Sequence, residues 1–492
     1  MLRLSWTQPE DLLPHALVAA QLDGRDVTAI RDRWLAAGGA EVAPVNGATP
    51  QPAPEGVRAL ARELLAAVDE VAVPGELLAV EPDSVASVAS VAELVEAPEA
   101  RASTGASTGS ATGASTGSAT GASTGSATDA STGSATALYD RIHGAWLGRA
   151  AGCLLGKPVE KIPREGIRAI AESTGNWPVA GYFTEIGLDP EVAAAYPWNR
   201  RSRPTSLVEN IDGMPEDDDL NFPLIALDLL ERVGAGFTTD DVAQSWLANL
   251  PGGRVFTAER IAYRNLLDGY EPEVAGLYGN PFRDWIGAQI RTDLYGWASP
   301  GDPARAAALA VTDARLSHGR NGLYGAAFAA AASAAAVVGD SVDDVIAAGL
   351  AVVPPLSRYA TAIRRGVELG HSTLTDEQAI DAIYADYGHL HWVHVLNNSA
   401  LLAFALTRSR GDFATAVTLA VSGGWDTDST GATAGSICGA LAGASALPRI
   451  WIEPLKNRLA SSIPGFDGVG FDELARRTVA LSAVAERTEG ER

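Results

Sequence analysis

Gly423-Gly424-Trp425-Asp426-Thr427-Asp428-Ser429-Thr430-Gly431 heads a segment in which glycine returns at 431, 435, 439 and 443. Glycine at every fourth position gives a helix one smooth face, so a neighbouring backbone can approach closely. Asp426, Asp428 and Ser429 sit at the head of that helix and would be held in a narrow, fixed cleft. The same spacing occurs far upstream, at glycines 144, 148, 152 and 156, and there Lys157-Pro158 ends the helix and leaves Glu160 just beyond it. GxxxG spacing is best known between membrane helices, but Arg149 and the flanking charges favour soluble packing.

From Ala137 onward the chain is a series of helical patterns. Alternating β-branched runs are scarce, alanine is abundant, and Gly or Pro punctuates at helical intervals. The expectation is an all-α fold, a compact multi-helix domain over residues 137–492. Leu323 to Gly339 is mostly alanine and reads as a buried helix rather than a membrane span. Before this domain lies a repeat of Gly-Ala-Ser-Thr-Gly-Ser-Ala-Thr with no large side chain to bury; residues 101–136 read as a flexible linker with a reach of roughly 30 Å. Residues 1–100 read as a small helical module, with helices from Pro9, across 27–35 and from Pro54, and an interruption from Pro44 to Pro54. An adaptor or docking role without chemistry is expected of it.

The formal net charge of −23 opposes binding to nucleic acid or an anionic membrane surface, and part of it is expected to be balanced by bound cations. The two cysteines, Cys153 and Cys438, lie in apolar contexts and read as buried thiols of a reducing, cytoplasmic compartment. The N-terminus lacks the pattern of a secretory signal.

A second acidic cluster, Glu216-Asp217-Asp218-Asp219, follows Pro215 and reads as a helix start, with Pro223 marking a kink or a later start. Four consecutive acids exceed what capping needs. Oxygen-only ligands favour Mg²⁺, Mn²⁺ or Ca²⁺ over zinc. Glu160, Glu216, Asp217, Asp218, Asp219, Asp426 and Asp428 cannot all be ligands of two divalent ions, so some must stand behind the ligands or hold a proton. His389-Leu390-His391-Trp392-Val393-His394 lacks a completed ligand set and reads as a packed helix rather than a zinc site. Ser317-His318-Gly319-Arg320-Asn321 is a polar joint before the alanine-rich helix, read either as a cap or turn or, from its place before a buried helix, as a ligand contact.

This constellation resembles the ADP-ribosylglycohydrolase family, of the dinitrogenase reductase-activating glycohydrolase type, over about Tyr139 to Leu459. The Gly-rich segment ending in Glu160, the central acidic motif, the Ser317-His318 joint and the stretch from Gly424 to Gly435 appear in the family's order. The resemblance implies an all-α fold with two Mg²⁺ ions, for which Mn²⁺ may substitute, and hydrolysis of a glycosidic bond at the ribose of an ADP-ribosyl group. It implies Asp217, Asp218, Asp426, Asp428 and Ser429 as metal ligands, with Glu216 a ligand or a group behind them. Glu160, Asp217 and Asp218 become the catalytic candidates, and Ser317, His318 and Asn321 the substrate-binding ones. The implied partner is an ADP-ribosylated protein or small-molecule substrate; hydrolysis of a small ribosylated metabolite or nucleoside, and non-catalytic binding of ADP-ribose, are the alternatives. The sequence departs from the family pattern at Glu216 and Asp219, where hydroxyls are usual, and at Arg149, where an aspartate is common.

Overall fold

The computed structural model describes residues 3–83 and 126–489. Among these the regular elements are helices, and β pairing is limited to the isolated bridges Met214–Leu459, Trp285–His394 and Leu459–Val469. The fold is all-α, as expected.

The two glycine stripes pack against each other. Helix Ser126–Gly156 and helix Thr427–Ala442 run antiparallel, with Gly144 facing Gly439, Gly148 facing Gly435, Gly152 facing Gly431 and Gly156 facing Thr427. A Cβ at any of these four upstream glycines would come well inside 3.0 Å of a carbonyl oxygen across the seam. The neighbour is backbone, which cannot swing aside as a side chain can. Thr427 Oγ1 donates to Gly156 O at 2.8 Å and locks the end of the seam. The antiparallel register places the C-terminal exit of one helix beside the N-terminal turn of the other. Glu160 and the Asp426–Ser429 turn therefore meet.

Around this pair, helix Arg320–Ala336 is buried along almost its whole length, and helix Val395–Ser409 likewise. Their small side chains let neighbours come close: at Gly296 an added Cβ would strike Ala330 O. One hydrophobic core runs through the whole domain and includes Trp6 and Leu12 of the N-terminal segment. That segment forms helices Pro9–Leu22, Thr28–Ala36, Glu55–Asp69 and Gly75–Val80, with a small core of its own built on Leu13, Leu17, Trp34 and Leu64.

Three local expectations change. The acidic cluster does not start a helix at Pro215: helix Asp218–Val233 begins three residues later, because Asp217 is its N-cap and accepts from Asp219 N at 2.9 Å. His389 to His394 is a turn rather than a helix; His394 caps helix Val395–Ser409 through Leu396 N at 3.2 Å, and His391 stacks on Trp285 at 4.3 Å. The last residues of the repeat, from Ser126, are helical; the rest of the expected linker lies outside the described residues.

Candidate active site

A cavity of about 720 Å³ opens over the end of the glycine seam. Its floor carries Glu160, Glu216, Asp217, Asp218, Asp219, Asp426, Asp428 and Ser429, together with Lys157. Both acidic clusters and Glu160 are thus brought to one place. Ligand oxygens of Glu160, Asp426 and Asp428 lie within 4.8 Å of one another.

Backbone geometry aims the Asp426 turn. Gly424 and Trp425 both take positive φ, 83° and 63°, which swings the chain into the helix, and Trp425 is held by stacking on Tyr384 at 4.2 Å. Tyr384 Oη donates to Gly423 O at 2.8 Å, and Asp426 N donates to Asn398 Oδ1 at 3.2 Å. Asp426 does not use its carboxylate as a cap, so that carboxylate is left to the cavity.

The acids divide by partner. Asp217 pairs with Lys157; burial would push its carboxyl up, but the ammonium more than reverses this and holds it below the usual range. Glu216 pairs with Arg254 at 2.9 Å and accepts from Asn221 Nδ2 and Ser462 N at 3.0 Å each, which places it against the cavity wall. Glu160 pairs with Lys161 at 3.1 Å and accepts from Asn199. Asp219 pairs with Arg149 at 3.4 Å. Among the described residues Asp218, Asp426 and Asp428 have no basic partner. Burial, then neighbouring carboxylates, raise the carboxyls of Asp218 and Asp426 well above the usual range, and Asp428 rises from 3.8 to about 7. Such a set needs protons or cations, and its all-oxygen donors suit a hard divalent ion. Cys153 lies beside Asp217 and Asp219, but burial and those two acids keep its thiol protonated.

Arg149 explains two sequence departures at once. It is fully buried, donates through Nε to Asp219 O at 2.8 Å, and pairs with Asp293 at 2.8 Å as well as with Asp219. The Asp219 carbonyl is available because residue 223, which would donate to it in the helix, is proline. A carboxylate in place of the usual hydroxyl is thus balanced by an arginine in place of the usual aspartate. Arg149→Met is expected to destabilise the fold by about 3–5 kcal/mol, since it strands two buried carboxylates. Asp219→Ser in the same chain should recover part of that loss, with a coupling of at least ~1 kcal/mol in urea unfolding. Strictly additive effects would contradict the pairing.

The Ser317–His318 joint is elsewhere. Ser317, His318 and Asn321 are buried and do not line the cavity. Ser317 Oγ accepts from Arg291 at 2.7 Å and lies 2.8 Å from His318 Nδ1. Arg291 in turn holds Glu259 at 2.9 Å, and it is Glu259 that reaches the cavity wall. Sequence reading missed Glu259, Lys157, Arg254 and the N-terminal residues Ser5, Trp6 and Asn46, all of which line the cavity. For Lys157 alone a signal exists, since it stands three residues before Glu160.

A family model described as ADP-ribosylglycohydrolase matches residues 134–488. A solved structure titled "ADP-ribosylglycohydrolase-related protein complex" is similar over 71% of this chain and 99% of that chain, at 22% identity and a TM-score of 0.45. Among curated proteins none matches.

Proposed function

Because the chain belongs to the ADP-ribosylglycohydrolase family, we propose that it is a metal-dependent hydrolase cleaving the glycosidic bond between ADP-ribose and an acceptor, a protein side chain or a small molecule, in the cytoplasm. The observation that carries this is the trio of cavity carboxylates, Asp218, Asp426 and Asp428, which make no direct ion pair among the described residues and are raised by burial and neighbouring acids despite Lys157 nearby. With Asp217 and Ser429 they would hold two Mg²⁺ ions, for which Mn²⁺ may substitute. Bound there, such ions supply Lewis acidity toward the ribose hydroxyls and an attacking water.

The protein's own groups do the rest. Glu160, held by Lys161 and Asn199, would orient a water and take its proton as the water attacks the ribose anomeric carbon; the carbon–acceptor bond breaks with its electron pair leaving on the acceptor, which takes up that proton from Glu160. Asp217, kept ionised by Lys157, and the neighbouring carboxylates favour the positive charge that develops on the sugar ring. Glu216, engaged by Arg254 and Ser462, acts from behind by positioning rather than as a ligand. Lys161, Arg200, Arg201 and Arg254 line the same cavity in a chain of net charge −23, a local basic rim suited to a diphosphate.

Hydrolysis of a small ribosylated metabolite or nucleoside is the second reading, favoured by Ser5, Trp6 and Asn46, which wall part of the cavity. A panel of ADP-ribosylated proteins, free ADP-ribose conjugates and nucleoside derivatives, assayed for released ADP-ribose or base, separates the two. Release of ADP-ribose from protein or small-molecule conjugates supports the first reading, and release only of base from nucleoside derivatives the second. Tight ADP-ribose binding with no turnover across the panel would overturn both in favour of a binding protein.

A further inference from the structure

The N-terminal segment touches the domain through groups that the reaction does not use, and two of them, Asp23 and Glu81, are buried. Asp23 pairs with Arg320, with Arg358 at 3.2 Å and with Arg283 at 3.5 Å. Glu81, with no exposed surface, pairs with Arg358 at 2.7 Å and accepts from Asn321 Nδ2 at 2.9 Å. Pro82 O accepts from Tyr324 Oη at 2.6 Å, Asp83 from Arg320 N at 2.9 Å and Asp69 from Gly279 N at 2.8 Å. Arg320 and Asn321 of the polar joint are therefore occupied in holding this segment. Buried ion pairs of this kind are costly to break one-sidedly, because each leaves an unpaired charge.

The apolar part of the contact leads to the cavity. Trp6 and His15 pack edge-on into Phe282, Trp285 and His391, with ring centroids 5.2–6.2 Å apart. Ser5 accepts from the buried Arg260 through its carbonyl at 2.9 Å and its hydroxyl at 3.0 Å. Ser5, Trp6 and Asn46 then form cavity wall in company with Trp392. Trp392 has a buried indole N–H with no partner, and Asn46 is exposed and makes no hydrogen bond within the described residues.

We propose that residues 3–83 are a fixed wall of the cavity, and that Asn46, with Trp6 and Trp392, determines specificity by contacting the part of the substrate remote from the carboxylates. The half-buried Trp392 indole, with Lys161 4.9 Å from its ring centroid, beside the free Asn46 amide, suits a planar, hydrogen-bonding group such as a nucleobase. The choice of probe rests on the ADP-ribosyl reading given above; the wall itself does not.

Two measurements on the full chain test this. Asn46→Trp, at an exposed site without internal bonds, should weaken ADP-ribose binding at least ~10-fold by filling the wall. It should leave ribose 5-phosphate binding and the melting temperature as in the wild type. Unchanged ADP-ribose affinity would overturn the specificity role, whereas a wild type that binds no ADP-ribose would instead sink the substrate reading. Independently of any ligand, cutting the chain at a protease site inserted within 105–125 should leave the two pieces together on gel filtration. Their separation would overturn the fixed wall.

Discussion

Asp426→Asn with Asp428→Asn is expected to abolish hydrolysis, by about 10³-fold or more, and to remove all stabilisation by divalent cations, while raising the melting temperature of the cation-free protein. The two effects have one cause. Both carboxyls are raised first by burial, Asp426 then by Asp428 and Glu160, and Asp428 then by Glu160 and Asp217, so the native state disfavours their ionised forms. For Asp428 the folded value of about 7 stands above the ordinary 3.8. Its contribution to stability is therefore complete below about pH 4 and is lost as the pH rises through about 7. At pH 8 the cation-free wild type bears the whole cost, and the asparagines bear none. Cations remove that cost in the wild type by binding the ionised groups, so cation affinity should weaken as the pH falls below about 7. Thermal unfolding with and without Mg²⁺, from pH 5 to 8, checks every part. A variant that still gains stability from Mg²⁺ would show that the ions sit elsewhere.

Gly152→Ala is expected to cost at least ~3 kcal/mol, or to leave the protein insoluble. The added methyl would overlap the carbonyl of Gly431, and relief requires the two central helices to part. Parting them separates Glu160 from Asp426 and Asp428, so cation binding should fail in whatever protein still folds. Gly56→Ala is the control. A Cβ there meets nothing, and in helix Glu55–Asp69 it should stabilise by about 0.5 kcal/mol. Urea unfolding of both variants tests the contrast in sign.

What was legible in the sequence followed from local periodicity. Glycines every fourth residue announce a smooth helix face, and the Asp426-Thr427-Asp428-Ser429 turn announces oxygen ligands, because spacing and chemistry are both local properties. What could not be read was pairing over distance. Arg149 and Asp219 each look like isolated departures until the fold makes them partners, and Asp23 and Glu81 look like surface acids although they meet Arg320 and Arg358 some three hundred residues on. The Ser317–His318 joint was placed for ligand contact by its polarity. In the structure that polarity is consumed internally, by Arg291, while its neighbour Asn321 serves Glu81. The histidines of 389–394 were close to correct in role, as packing groups, but a helix was expected where Trp285 and the bridge at His394 impose a turn.

On the proposed function, the carboxylates at the end of the glycine seam run a cation-dependent cleavage of an ADP-ribosyl bond. The most direct measurement is release of ADP-ribose from ADP-ribosylated substrates by the full chain, with Mg²⁺ present, with Mg²⁺ chelated, and after Mg²⁺ is restored. Turnover that stops on chelation and returns with the ion is the predicted result. Turnover that persists undiminished in the chelator would contradict it.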